Sequence, residues 1–80
     1  MITLSLDALV VRGHVRAAGG STYLAHVRVA LGERGTFGRG AAAVGRFEGA
    51  LAELTATGDL CAVPDADGDV VLSIPRGAAL

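Results

Sequence analysis

The stretch LVVRGHVRAAGGSTYLAHVRVAL, residues 9–31, decides how this chain folds. It reads as two strands turning at Gly19-Gly20-Ser21 or as two helices turning at the same place. As strands, Leu9, Val11 and Val15 share one side, with Arg12, His14 and Arg16 on the other. In the second half, Ala25, Val27, Val29 and Leu31 share the apolar side, opposite Thr22, His26 and Arg28. Pairing about the glycines sets Val11 against Val29, Val15 against Ala25, His14 against His26 and Arg12 against Arg28. A slip of one residue would mix the faces, which burial disfavours. Glycine suits the positive φ that such a turn needs.

As helices, the first half gives no clean stripe. At about 100° per residue, Asp7 and His14 fall among its apolar residues. The second half tolerates a helix, since Tyr23, Leu24, Val27, Ala30 and Leu31 share a side, but its valines lean toward strand. The sequence therefore predicts a hairpin with a basic face.

The flanks complete the expectation. ITLSL, residues 2–6, alternates strictly and predicts a half-buried strand, with a bulge or bend at Asp7-Ala8. GERGTFGRG, residues 32–40, is a glycine-rich loop in which Thr36 is placed to cap the following helix. That helix runs to about Leu54, with Gly40, Val44, Phe47, Leu51 and Leu54 as its apolar stripe and Gly58 as its stop. DLCAVPDADGDVVLSIP, residues 59–75, predicts a hairpin about Asp67-Gly68, with Cys61 and Val63 facing inward beside Leu72 and Ile74. Residues 75–80 read as a frayed tail. The predicted fold is a single α+β domain over residues 1–80: a small antiparallel sheet with one helix packed on one face, in the order β-β-β-α-β-β.

Composition narrows the function classes. The chain has 80 residues, 51% of them hydrophobic and 19% charged. That is apolar for so small a core and points to a self-association surface, hence a homodimer. Lys, Asn, Gln and Trp are absent. The net charge of −1 hides an asymmetry. Residues 1–46 carry six arginines against only Asp7 and Glu33, whereas residues 47–80 carry Arg76 against six acids. The halves either neutralise each other or offer a basic face to an acidic protein partner. Lys-free composition, few aromatics and a pI near 6.0 make nucleic acid the weaker partner. Cys61 is the one cysteine, which fits a cytoplasmic protein without a disulfide framework. Met1 is followed by an alternating stretch and not by a leader-like pattern, and no run is long enough for a membrane span.

Candidate sites follow from these patterns. The basic hairpin face gathers Arg12, His14, Arg16, His26 and Arg28, and Arg12 opposite Arg28 calls for an anionic partner. His14 and His26 have no third ligand and arginine neighbours, so no metal is expected. GTFGRG departs from both phosphate-loop patterns, so no nucleotide cofactor is expected. DADGD has its glycine misplaced for a calcium loop and reads as a turn. No serine has a visible base, and Cys61 lacks an activating context, which points away from catalysis. On the helix, Ala41, Gly45, Gly49 and Ala52 form a small-residue strip, a candidate dimer seam where two backbones can approach closely.

Two resemblances rest on longer segments. LVVRGHVRAAGG, FEGALAEL and GDLCAV with GDVVLSI, within residues 9–74, resemble the small WapI-type immunity proteins and related actinobacterial domains. This implies a β-rich α+β fold and a protein-binding role. STYLAHVRVALGERG, FGRGAAAVGRFEGALAELTATGDL and CAVPDADGDVVLSIP, residues 21–75, are similar to the second helix, recognition helix and wing of a winged-helix domain. That implies a DNA-binding regulator in which Arg39 and Arg46 face DNA. The N-terminal third departs from it, reading as strand where a first helix belongs.

Overall fold

A computed structural model describes residues 4–75. The protein is α+β, and its elements run α1 (Leu6–Ala17), β1 (Ser21–Tyr23), α2 (Leu24–Arg34), α3 (Gly40–Thr57), β2 (Cys61–Pro64) and β3 (Val70–Ser73). The three strands form one antiparallel sheet in the order β1-β3-β2. This corrects the expected β-β-β-α-β-β order and its single helix. Helices stand at residues 24–34 and 40–57, a strand pair follows them, and α1 is a helix where the sequence reading expected strand.

The predicted hairpin of residues 9–31 does not form. Both arms are helices, so Arg12 and Arg28 do not face each other across a ladder, and neither do His14 and His26. Helix α1 starts where its backbone amides find a cap. The Ser5 hydroxyl accepts from the Ala8 amide at 3.2 Å, and Asp7 lies in the first turn, where the helix dipole favours an acid. The phase change at Asp7-Ala8 thus marks a helix start and not a bulge. Residues 4 and 5 are not strand; residues 2 and 3 of the predicted first strand, and 76–80 of the predicted tail, lie outside the described residues. Helix α1 buries Ala8, Val11 and Val15, one stripe spaced at three and four residues. Its opposite side is also apolar, with Leu6 80% exposed and Leu9 and Val10 at 40% each.

Helix α2 contributes Val27 and Leu31 to the core. Helix α3 contributes Phe47, Ala50 and Leu54, with Ala43 and Leu51 partly buried. Val44 and Gly40 of the predicted stripe are exposed, so the buried face sits slightly round the helix from the expected one. Arg39, not Thr36, is the N-cap residue of α3, and it makes no side-chain capping bond. The C-terminus is as expected: Gly58 is left-handed at φ 82°, and the Asp59 amide donates back to the Leu54 carbonyl at 2.9 Å.

The sheet closes the core from below. β3 lies between its partners, pairing Thr22 with Leu72 on one side and Ala62 with Leu72 on the other. Leu72 is buried, as is Leu60 just before β2. The β2–β3 register differs by one from the expected two-residue turn. Asp65 takes over the turn: its carboxylate accepts from the Asp67 and Asp69 amides at 2.9 and 3.0 Å, and Gly68 supplies φ 87°. The loop therefore spans residues 65–69, and Cys61 and Val63 share a side with Val71 and Ser73. Cys61 is exposed, which corrects its predicted inward position. No helix of the described residues is long and apolar enough to cross a membrane.

Candidate functional site, the outer face of helix α3

Helix α3 is tied by polar contacts to the start of α1 along one edge. On the α1 edge, Arg46 donates to both carboxylate oxygens of Asp7, from Nε at 3.1 Å and from a terminal nitrogen at 2.8 Å. It also donates to the Phe37 carbonyl at 3.3 Å, and its guanidinium lies 5.2 Å from the Phe37 ring centroid. These hydrogen bonds, with the positive charge beside them, hold the Asp7 carboxyl below its usual range despite the opposing effect of desolvation. Further along the same edge, the Ser5 amide donates to Glu53 at 2.7 Å. Arg46 is therefore tied to α1 and lies away from the helix's free side.

The free side carries Ala41, Ala42, Gly45, Glu48, Gly49, Ala52 and Ala56, all exposed. At 3.6 residues per turn they fall within about a third of the circumference. The four predicted seam residues, Ala41, Gly45, Gly49 and Ala52, come together here as expected. Ala42, Glu48 and Ala56 complete the face; extending the helical phase from the seam would have found them. Glu48 is the one polar side chain among these seven positions, and the exposed Thr55 borders them. Neither glycine is needed for internal packing, because a Cβ built at Gly45 or Gly49 meets nothing within 4 Å.

The five basic residues of the expected hairpin face are dispersed over two helices. Arg12 reaches Asp59 at 3.6 Å, one instance of the neutralisation between halves that the charge asymmetry suggested. Arg16 is exposed in the last turn of α1, and His14 is half-buried in the same turn. On α2, His26 meets the edge of Tyr23 at a centroid distance of 5.5 Å, and Arg28 lies over Phe47 at 5.7 Å. The two salt bridges among the described residues are Arg12–Asp59 and Arg46–Asp7, so Arg28, Arg34 and Arg39 form none there. Arg39 is exposed at the start of α3.

The β2–β3 loop carries no basic residue. It presents Asp65, Asp67 and Asp69, and Asp65 spends its carboxylate on its own turn. Among the described residues no cluster of three metal-ligating side chains occurs. Comparison with protein families, with curated proteins and with solved structures finds no match to this chain.

Proposed function

We propose that this domain is a non-enzymatic protein-docking module, and that the outer face of α3 receives a helix from its partner. The observation that carries the reading is the composition of that face. Where a recognition helix needs donors and acceptors for base edges, this one offers alanine, glycine and a single glutamate. A smooth strip of this kind instead lets a second helix approach at the short end of the usual 8–10 Å interaxial range. Two glycines in the interior of a helix are costly, and close contact across the face offsets that cost. Arg39 at one end of the strip and Arg28 on the adjoining helix favour an acidic edge on the incoming partner. The basic residues predicted to meet an acidic partner thus enter through Arg28; Arg12 already has its acid.

A photo-crosslinking side chain placed at Ala52 tests the proposal, with the same probe at Ala66 on the β2–β3 loop as control. Discrete protein adducts from position 52, lost when Gly45→Leu fills the strip, support docking. Adducts between two copies would identify a second copy as the occupant and support the homodimer. A pattern identical to that from position 66 contradicts the proposal.

DNA binding is the second reading, favoured by the layout and by Arg39, which is free at the start of α3. Arg39→Ala together with Arg46→Ala tests it. Duplex affinity lost in the double variant and falling steeply with salt supports it; affinity unaltered by both changes removes those two roles.

A further inference from the structure

Between the C-terminal half of α2, the glycine-rich turn and the first turns of α3 lies a cleft of about 90 Å³. Leu31, Phe37, Val44 and Phe47 form most of its wall, and Arg28 stands at its rim. Phe37 and Phe47 are fixed core residues, 6% and 4% exposed, with their rings 6.3 Å apart. Part of the cleft wall is therefore packed core, while Val44, 54% exposed, and Arg28 face solvent. The Arg28 guanidinium is held 5.7 Å from the Phe47 ring centroid and forms no salt bridge among the described residues. A second, shallower depression shares Gly32, Gly38, Ala43 and Val44 with the cleft and adds Arg34 and Arg39, with Glu33 as its one acid. The surroundings are thus apolar at the bottom and cationic at the edge.

We infer that this cleft binds a small aromatic carboxylate, the ring against Phe37 and Phe47 and the carboxylate on Arg28. Size and charge both select that class. An apolar cavity of about 150 Å³ takes up a benzene ring whole. A cleft of 90 Å³, open at one side, takes a ring in part and leaves its substituent at the rim. A guanidinium there presents paired donors that match a carboxylate. A cationic substituent would meet three arginines instead. The cleft shares Arg28 with the docking reading, but the benzoate titration uses the domain alone, so its failure and the failure of the docking reading are distinguishable.

Benzoate is the probe, with benzamide as its neutral isostere, in a titration of the labelled protein followed by backbone amide shifts. A dissociation constant of about 1 mM would need about −0.5 kcal/mol per non-hydrogen atom of benzoate, well within the ceiling for small ligands. Saturable benzoate shifts at Leu31, Phe37, Val44 and Phe47 are expected, with benzamide at least about tenfold weaker. Arg28→Gln, at an exposed position, should cause a similar loss for benzoate while leaving the spectrum otherwise intact. Ala43→Leu should close the cleft; should it disturb folding, Val44→Trp closes it from an exposed position. Shifts that fail to saturate, that benzamide reproduces, or that survive Arg28→Gln overturn the inference.

Discussion

Replacing both Gly45 and Gly49 with alanine separates the cost of the α3 strip from its use. Both residues are exposed within the helix, and a Cβ at either meets no neighbour within 4 Å. The isolated domain therefore loses nothing by gaining the methyl groups. An interior helical glycine costs about 0.8–1.0 kcal/mol relative to alanine, so the pair should add about 2 kcal/mol to stability. For a domain of this size, that raises the thermal midpoint by roughly 8–15 °C. Urea unfolding followed by far-UV circular dichroism measures the gain, with an unchanged slope showing that the native state keeps its compactness. Two protein concentrations are needed, because self-association would make the midpoint concentration-dependent. The same variant should bind its docking partner more weakly, since each methyl holds an incoming helix away. A midpoint that is unchanged or lower at both concentrations would refute the reasoning, because the glycines would then be serving the fold itself.

The remaining predictions concern the fold that presents this face. Ser5→Ala removes the cap of α1 and should cost about 1 kcal/mol, read as a shift in the urea midpoint; no shift would mean that the Ser5 hydroxyl does not secure the helix start. Leu54→Ala empties a fully buried site and should cost about 2–5 kcal/mol, enough to unfold much of the population in so small a domain. Asp7→Asn tests the tie to Arg46. Asp7 has a depressed pKa in the folded state, so its contribution is present above its unfolded pKa and disappears as pH falls through the folded value. The wild type should therefore lose more stability than Asp7→Asn between about pH 5 and pH 2, measured by thermal midpoints; parallel pH profiles would show that the pair contributes nothing.

How much of this was legible in the sequence depended on whether each element announces its own partner. Helix α3 was readable, because Phe47, Leu51 and Leu54 recur at helical spacing and Gly58 stops it. The strands β2 and β3 were readable from their valines and the intervening Asp-Gly turn. Their register was not, because Asp65 bonds its own loop and lengthens the turn. Helix α1 was missed although Ala8, Val11 and Val15 recur at helical spacing, because Leu9, Val11 and Val15 also alternate with Arg12, His14 and Arg16 at strand spacing. Strand β1 is only three residues long and pairs with β3, some fifty positions later, which no local pattern encodes. The predicted arginine opposition was a consequence of the hairpin and vanished with it. Ala41, Gly45, Gly49 and Ala52 still share an exposed face, because that depends only on helical periodicity, although the buried stripe beside them sits slightly round from the expected one.

The most direct test of the docking claim is a titration of the labelled domain with mixed-sequence duplex DNA at low salt, following the amides from Ala41 to Ala56. The docking reading predicts no saturable shifts on Gly45, Glu48, Gly49 and Ala52, since this face offers a base edge only the Glu48 carboxylate, which the phosphates repel. Saturable, salt-sensitive shifts centred on those four residues would contradict it and make α3 a DNA-reading helix.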